Sequence, residues 1–463
     1  MRRPILLGAA AALVSLTFTG AALRSSAATA SPEPRPAQPP GAQPLSAVAR
    51  LGRTMFFDPA LSASGRQACS SCHDPAHAYG PANDRPVEIG GPHLDRPGIR
   101  ATPSLTYMNL TPPFSVGPEP ASEVEGAGGA VTSAADRPTA PRVGPLSGTP
   151  TAGGKANSSA ADMVPQGAFF WDGRADTLEE QPQGPLMSPF EMANASPAAF
   201  LAKLEQRPYA KTFKQLFGDT VFDDPGQAFD EASFALARFE FEDVSFHPFT
   251  SKYDAYLRGE AKLTPQEARG LTLFDDEKKG DCAACHLDTV APDGTMPAFT
   301  DYEFEALGVP RNPKIPANAD PNYHDLGICG PMRHDIYAKQ PANCGLFKTP
   351  TLRNVALRHV FFHNGVYTRL ADVVRFYMDR ETRPEAVYPK RADGSVARYD
   401  DLPKQYWPNL DRIDPPLDAK RGDRPALTEQ EIADVVAFLK TLTDGYRART
   451  PPGSAPAAAS ARR

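Results

Sequence analysis

Beyond its first thirty residues, this chain of 463 residues lacks any apolar run long enough to cross a bilayer, and it lacks an excess of positive charge. It holds 49 Lys and Arg against 55 Asp and Glu, a formal net charge of −6. That balance argues against a nucleic-acid partner. Alternating apolar and polar runs, which indicate β-strands, are also scarce. The sequence therefore predicts a fold made mainly of α-helix and loop.

Residues 1–30 have the pattern of a secretory signal peptide. Arg2 and Arg3 precede an apolar run, and Ala28-Thr29-Ala30 offers a small-residue cleavage site. An uncleaved anchor is the alternative, but the run is diluted by Ala, Gly, Thr and Ser and is followed at once by proline. Cleavage would leave a protein that does not span the membrane. It would also remove three arginines and leave 46 basic and 55 acidic residues, a net charge of −9 that suits a basic electron carrier as partner.

Cysteine is sparse, with six residues in the whole chain. Four of them form two copies of a C-x-x-C-H motif, at Cys69, Cys72 and His73 and again at Cys282, Cys285 and His286. Two thiols at this spacing attach to the vinyl groups of a c-type haem, and the histidine then binds the iron. Two full copies favour two covalently bound haem c groups over ordinary disulfides.

The other two cysteines, Cys329 and Cys344, fit a disulfide in an oxidising compartment, and a pair of unrelated buried thiols is the alternative. An exported protein that carries c-type haem points to the bacterial periplasm.

Two distant haem motifs favour one domain around each. We expect a Pro-rich tether at 31–44, an N-terminal haem domain at 45–250, a C-terminal haem domain at 251–446 and a disordered tail at 447–463. Residues 113–163 are rich in Gly, Ala, Ser and Pro and predict a flexible insertion. Helices are expected from residue 45, over 197–217 and 225–243, after capping residues Thr264 and Thr428, and along the apolar stripe of residues 370–378.

Several segments, in order along residues 45–445, resemble the bacterial di-haem cytochrome c peroxidases, the superfamily that includes MauG. The matching segments are Leu51–Arg53 through Pro59, Cys69–His73, Thr102–Leu105, Trp171–Arg174 through Glu191–Met192, Cys282–His286, Phe347–Val355 and Phe362–Gly365. The resemblance implies two cytochrome c-like domains, each around one haem. The N-terminal haem would meet peroxide, and the C-terminal haem would relay electrons.

The resemblance also implies roles for individual residues. His73 and His286 would be the proximal iron ligands. Trp171 would lie between the haems and carry electrons; the alternative is an aromatic residue that only packs in the core. Gln181 and Glu191 would lie on the far side of the N-terminal haem, where a carboxylate can move a proton between the oxygens of peroxide.

The chain departs from the family pattern at informative positions. The far ligand of the second haem is a methionine in the peroxidase branch and a tyrosine in the MauG branch. Here Tyr377 matches that position, with Met378 beside it; we favour Tyr377, and Met378 or a packing role stays open.

His93 lies where, in the family, a histidine caps the first haem at rest. An exposed loop histidine is the alternative, and His77 is a weaker candidate for the cap. Ala101 replaces the asparagine of the family's calcium site, and backbone carbonyls near Arg358 and Val360 are the remaining candidate ligands, which makes calcium possible but doubtful.

Three functions compete. The leading one is a periplasmic peroxidase that reduces hydrogen peroxide to water with electrons from a small cytochrome c or copper protein. The second is a MauG-like enzyme that uses peroxide to oxidise a residue, such as tryptophan, on a partner protein; Tyr377 supports it. A plain electron carrier is disfavoured, because it would have no use for Gln181 and Glu191.

Overall fold

The computed structural model describes residues 43–118, 163–291 and 294–447. The predicted signal peptide, nearly all of the tether, the interior of the predicted insertion and the predicted tail from residue 448 lie outside these residues. Within the described parts, α-helix and irregular loop dominate and strands are few, which confirms the expected mainly helical class. None of the helices described combines the length and apolar character that crossing a membrane requires.

The helices begin largely where local capping signals stand. Ser46 accepts a hydrogen bond from the Ala49 N–H, and Thr264 with Glu267 and Thr428 with Glu431 form the predicted capping boxes. In chain order the α-helices are α1 Ala47–Phe56, α2 Gln183–Met187, α3 Pro197–Glu205, α4 Ala210–Phe217, α5 Pro225–Glu242, α6 Lys252–Leu257, α7 Pro265–Asp275, α8 Cys282–Cys285, α9 Leu370–Asp379, α10 Pro384–Val387 and α11 Glu429–Lys440.

The expectation of one helix over 197–217 is wrong, because α3 ends at Glu205 and α4 begins at Ala210. Pro208 lacks an N–H and disfavours helical backbone at the residue before it. The side chains of Arg207 and Tyr209 then both reach the buried carboxylate of Asp58, at 2.7 and 2.6 Å. Local backbone restriction and this distant contact together break the helix.

The strands form three antiparallel pairs. They are β1 Ile89–Gly90 with β2 Arg96–Pro97, β3 Ser115–Pro118 with β4 Met163–Gln166, and β5 Phe304–Glu305 with β6 Phe347–Lys348. The β3–β4 pair corrects the boundary of the predicted 113–163 insertion, since the first residues of that segment are a paired strand and not a flexible loop. Residues 119–162 lie outside the described part of the chain.

The two halves of the sequence, residues 43–250 and 251–447, each contain a helix crossing of the same type. In the N-terminal half, α1 crosses α5 at Gly52, where an added Cβ would lie 1.7 Å from the carbonyl oxygen of Ala235. In the C-terminal half, α7 crosses α11 at Gly270, where an added Cβ would lie 2.0 Å from the carbonyl oxygen of Asp434. Only glycine allows backbones to approach this closely.

One helical turn beyond each crossing, the same aromatic contact follows. Phe56 packs edge-to-face on Phe239 at 5.5 Å between ring centroids, and Phe274 packs on Phe438 at 5.1 Å. These rings belong to the two main hydrophobic clusters, which draw their residues from 51–246 and from 253–442 respectively. Each half of the sequence therefore builds a core around an equivalent pair of helices.

A disulfide joins Cys329 to Cys344, which confirms the predicted pairing. The other four cysteines remain as thiols. They are the cysteines of the two C-x-x-C-H motifs, two in each: Cys69 and Cys72 lie in a helical turn after α1, and Cys282 and Cys285 are the first and last residues of α8.

Candidate haem sites

Two cavities contain the residues predicted to hold haem. The N-terminal cavity is lined by residues that include Cys72, His73, Gln181 and Glu191, and its empty volume, counting space open to solvent, is about 800 Å³. The C-terminal cavity is larger, about 1710 Å³ on the same measure, and Cys282, Cys285, His286, Tyr377 and Met378 are among its lining residues. Each C-x-x-C-H motif thus opens onto its own cavity.

The imidazoles of the two motifs are oriented in the same way. His73 Nδ1 lies 2.9 Å from the carbonyl oxygen of Tyr79, and His286 Nδ1 lies 3.0 Å from that of Phe299. A donor N–H at Nδ1 leaves the Nε2 lone pair available to a metal, the arrangement found in histidine ligands. Burial lowers the pKa of each histidine to about 4, so that both imidazoles are neutral at pH 7.

The backbone keeps each motif compact. The His73 N–H donates to the carbonyl of Cys69 at 3.0 Å, and the His286 N–H donates to that of Cys282 at 2.8 Å. One helical turn therefore holds two thiols and one imidazole together. With two thiols outside the disulfide, an available Nε2 and a largely apolar cavity, the residues present fit a c-type haem at each motif.

A second pair of equivalent segments lines the two cavities together with His73 and His286. Thr102-Pro103 and Thr349-Pro350 line the N- and C-terminal cavities, respectively. Five residues after each threonine, the backbone turns through a left-handed residue, Tyr107 with φ 64° and Asn354 with φ 60°. The repeat was not visible in the sequence as a repeat, because only the Thr-Pro dipeptide and a leucine recur.

Gln181 and Glu191 line the N-terminal cavity and are absent from the lining of the C-terminal one. Their positions are fixed by the turns around α2: the Gly184 N–H donates to the Gln181 carbonyl at 3.2 Å, and the Glu191 N–H donates to the Ser188 carbonyl at 3.0 Å. Burial raises the pKa of the Glu191 carboxyl above its usual value of 4.5. A buried carboxyl with a raised pKa holds a proton more readily than an exposed one, which suits it to proton transfer.

Arg174 is a lining residue of the N-terminal cavity that the sequence argument did not assign. Its guanidinium lies over the ring of Phe170 at 3.5 Å and donates to Asp172 at 2.9 Å. Its charge acts on Glu191, lowering the pKa of that carboxyl against the larger effect of burial. Arg174 is the last residue of the Trp171–Arg174 segment that resembles the family, and its position there is the one sequence feature that indicates a role.

Trp171 lines both cavities. Its indole N–H donates to the carbonyl of Ala101 at 2.8 Å, and its own carbonyl accepts from the Lys348 N–H at 2.9 Å. The side chain is 9% exposed. The structure therefore brings Trp171 to the wall between the two predicted haem sites and holds it from both sequence halves.

A buried charge network adjoins the tryptophan. Arg100 donates to Asp172 at 2.7 Å and forms a forked contact with Asp325 at 2.6 and 2.8 Å. Burial opposes ionisation of Asp172, but Arg100 and Arg174 hold the pKa of its carboxyl below the usual value. Arg100 and Asp325 could not be predicted as a pair, because nothing in a single sequence pairs residues so far apart.

Tyr377 and Met378 both line the C-terminal cavity. Burial raises the pKa of the Tyr377 phenol, and the nearby thiols of Cys285 and Cys282 raise it further. These electrostatic effects indicate that the tyrosine side chain is near the haem-attachment motif. Met378 is 2% exposed and belongs to the hydrophobic cluster of its half, and Tyr377 packs against the same cluster. Tyr377 as the ligand therefore stays a prediction, with Met378 as the alternative.

The remaining histidine candidates lie elsewhere. His93 is exposed, and the lining of the N-terminal cavity does not include it. His77 Nδ1 pairs with the Asp74 carboxylate at 3.0 Å. The structure thus does not bring either predicted cap to the cavity.

The residues at the expected calcium position do not fit that ion. Ala101 has no side-chain oxygen, and its carbonyl already accepts from Trp171. The Thr102 carbonyl accepts from Arg358 at 3.1 Å. In the parts of the chain that the structure describes, no group of three or more His, Cys, Asp or Glu side chains could hold a metal. A hard cation needs several oxygen ligands. The Ala101 side chain supplies none, and the carbonyls of Ala101 and Thr102 already accept hydrogen bonds from an indole and from a cation.

Comparison with known proteins agrees with this geometry. A family model described as di-haem cytochrome c peroxidase matches residues 46–262. The methylamine utilization protein MauG of Paracoccus denitrificans is 33% identical over 410 residues, 86% of this chain and 89% of the relative. The cytochrome c551 peroxidase of Nitrosomonas europaea is 27% identical over 389 residues, 81% of this chain and 86% of the relative. The crystal structure of the diheme peroxidase BthA from Burkholderia thailandensis matches with a TM-score of 0.71 and 35% identity, over 87% of each chain.

Fold and site together define a helix-rich haem protein with two haem motifs. The chain belongs to the di-haem cytochrome c peroxidase family, which includes MauG. It is an oxidoreductase that acts on peroxide, and membership of this family implies two haem groups.

Proposed function

We propose that this protein is a periplasmic di-haem peroxidase that reduces hydrogen peroxide to water with two electrons from a small redox protein. In this proposal it has two cytochrome c-like domains. Cys69 and Cys72 bind one haem covalently and Cys282 and Cys285 bind the other, while His73 and His286 are the proximal ligands. Export by a cleaved signal peptide at residues 1–30 completes the proposal.

One observation carries it: Trp171 lines both cavities, while Gln181 and Glu191 line only the N-terminal one. Proton-transfer groups in only one cavity, and an aromatic residue that lines both, indicate that the two cavities have different functions. Peroxide would react in the N-terminal cavity, and electrons would arrive through the C-terminal cavity. Trp171 would be the aromatic bridge for the electrons.

The haem iron, once bound, supplies the redox chemistry with peroxide. The side chains handle protons and access. The Glu191 carboxylate would take the proton from one oxygen of hydrogen peroxide and return it to the other, which leaves as water. Gln181 would orient the peroxide by hydrogen bonding, and Arg174 would keep part of the Glu191 population ionised against the effect of burial.

The electron donor is proposed to be a small cytochrome c or copper protein with a basic surface. The mature chain would carry a net charge of −9, which attracts a basic partner over distances of about 10 Å at moderate salt. Two electrons and two protons convert each hydrogen peroxide to two waters.

Steady-state assays test this function directly. The purified protein should oxidise a reduced basic cytochrome c in the presence of hydrogen peroxide, with a rate that falls as ionic strength rises. No turnover with any basic cytochrome or copper protein would contradict the proposed peroxidase role. Cell fractionation, together with the mass of the mature N-terminus, tests the periplasmic location and cleavage near Ala30.

A MauG-like activity is the second candidate, and Tyr377 is the observation that favours it. A tyrosine side chain in the C-terminal cavity, near Cys282 and Cys285, is the residue type that the resemblance associates with protein oxidation. The 33% identity to the MauG of Paracoccus denitrificans agrees with this assignment. Stoichiometric consumption of peroxide with a mass change on a partner protein, and no catalytic oxidation of cytochrome c, would select this alternative.

A further inference from the structure

Arg358 is a cation at the boundary between the two cavities that no role above accounts for. Its side chain lines the C-terminal cavity, and its guanidinium donates to the backbone carbonyl of Thr102 at 3.1 Å. Thr102 lines the N-terminal cavity. The charge of Arg358 also acts on His73, whose pKa it helps to lower after the larger effect of burial. The Arg358 side chain thus lines the C-terminal cavity and is hydrogen-bonded to a residue that lines the N-terminal cavity.

The charge of Arg358 has no carboxylate partner in residues 43–118, 163–291 and 294–447. Arg358 is half-buried, and two arginines nearby with buried side chains are paired: Arg100 with Asp172 and Asp325, and Arg353 with Asp254 at 2.8 Å. Burial lowers the pKa of Arg358 to about 10, so the guanidinium remains charged at pH 7. A desolvated cation without a counter-charge is costly and favours the binding of an anion.

The position of Arg358 coincides with the place where calcium does not fit. Ala101 supplies no side-chain oxygen, and the carbonyls of Ala101 and Thr102 are occupied by Trp171 and Arg358. The Arg358 guanidinium places a positive charge beside the Thr102 carbonyl oxygen, and a calcium ion that used this oxygen as a ligand would be repelled by that charge. The chain therefore carries its own fixed positive charge at this boundary.

We propose that the Arg358 guanidinium replaces a calcium ion between the two sites and binds a carboxylate side chain of the haem in the C-terminal cavity. The proposal rests on the two haem groups of the proposed function. A guanidinium presents a planar set of donors that matches a carboxylate, and this pairing is strong where water is excluded. Arg358 is a positioning residue in this role, since it acts on the haem periphery and not on peroxide.

Calcium content gives the first test. The haem-loaded protein should contain far less than one calcium per chain by elemental analysis. Incubation with a calcium chelator should leave its absorption and EPR spectra unchanged. One bound calcium per chain, or a change of spin state that calcium reverses after chelation, would overturn the proposal.

Charge substitution gives the second test, with reduction potentials and EPR spectra as readouts. Arg358→Gln should shift the potential of one haem downward, because an uncompensated carboxylate stabilises the oxidised iron. Arg358→Lys keeps the positive charge, and its potential should lie close to the wild-type value. Arg421→Gln removes an equal charge from an arginine that is 63% exposed, and it should leave both potentials unchanged.

A shift in Arg358→Gln no larger than in Arg421→Gln would refute the carboxylate contact. If Arg358→Gln fails to take up haem, Arg358→Lys and the calcium measurements still decide the question. None of these readouts needs peroxide turnover. A protein that lacks peroxidase activity but shows the expected potentials would contradict the proposed function and leave this inference standing.

Discussion

The indole N–H of Trp171 is bound to the backbone carbonyl of Ala101, 2.8 Å away and 70 positions earlier in the chain. The neighbouring residues make a parallel link, since Arg100 donates to Asp172 at 2.7 Å. Two adjacent contacts between the same two segments fix both the position and the orientation of the indole. A bridge between redox sites gains from such rigidity, because electron transfer depends on constant separation and little reorganisation.

Trp171→Phe removes the indole and its hydrogen bond while keeping an aromatic ring in a site that is 9% exposed. We expect peroxide still to react in the N-terminal cavity, whereas the second haem responds more slowly. Stopped-flow absorption after one equivalent of peroxide resolves the two events. Trp407→Phe is the matched control, since Trp407 lies in a separate hydrophobic cluster and its N–H binds only the nearby Leu402 carbonyl. Equal responses of the two variants would rule out a relay role for Trp171.

Glu191→Gln keeps the size of the side chain and removes its ability to carry a proton. We expect kcat/KM for hydrogen peroxide to fall by roughly 10²-fold or more, the typical contribution of a general acid–base group. Haem content and the ferric spectrum should be unchanged, because Glu191 is not a predicted ligand. Glu179→Gln alters an exposed carboxylate of the preceding turn and should retain full activity. A fully active Glu191→Gln would show that another group moves the proton.

The pH profile should report the environment of Glu191. Burial raises the pKa of this carboxyl above 4.5, so the ionised base is lost as pH falls through that raised value. We therefore expect kcat/KM to be constant at higher pH and to decline on the acid side, with a midpoint above 4.5. Arg174→Gln removes a charge that lowers this pKa and should move the decline to higher pH, while Arg174→Lys should move it less. A shift toward lower pH would contradict the assignment.

Tyr377→Met exchanges a phenol for a thioether in the C-terminal cavity. If the Tyr377 oxygen binds the second haem, the variant should have a higher potential at that haem, as methionine ligation raises haem potentials. Met378→Leu should change neither the potential nor the EPR signal. A spectroscopic response to Met378→Leu and none to Tyr377→Met would make Met378 the ligand. Redox titration monitored by absorption distinguishes the two results.

Short-range patterns predicted much of this molecule. The capping boxes at Thr264 and Thr428 and the spacing of the C-x-x-C-H motifs depend on residues within a few positions of each other, and the structure has the helices and turns that they predict. Even the break between α3 and α4 had a local signal in Pro208. Where a few neighbouring residues determine the backbone, one sequence is sufficient.

Contacts between distant residues could not be predicted in this way. The pairing of β3 with β4 joins segments separated by the whole insertion, and Arg100 meets Asp325 across 225 positions. Arg358 had no pattern of its own, since an isolated arginine is usually an exposed surface residue. The positions of Trp171, Gln181 and Glu191 were anticipated only because family resemblance carries three-dimensional information that composition and periodicity lack.

Gly52 and Gly270 show the same limit and allow a stability test. Nothing in the sequence pairs Gly270 with Asp434, yet a Cβ at residue 270 would lie 2.0 Å from the Asp434 carbonyl oxygen and 2.8 Å from the Phe438 Cβ. Gly270→Ala must push α7 away from α11, and overpacking of this kind costs about 1–3 kcal/mol or more. The C-terminal half, which contains the second haem motif after α7, should then unfold at a lower temperature. Gly226→Ala, in α5, meets only the Asp224 side chain at 3.3 Å and should change stability by less than about 1 kcal/mol. Thermal unfolding followed by circular dichroism, with haem content measured in parallel, compares the two variants with the wild type. A Gly270→Ala protein as stable as wild type would show that the helices do not cross at this glycine.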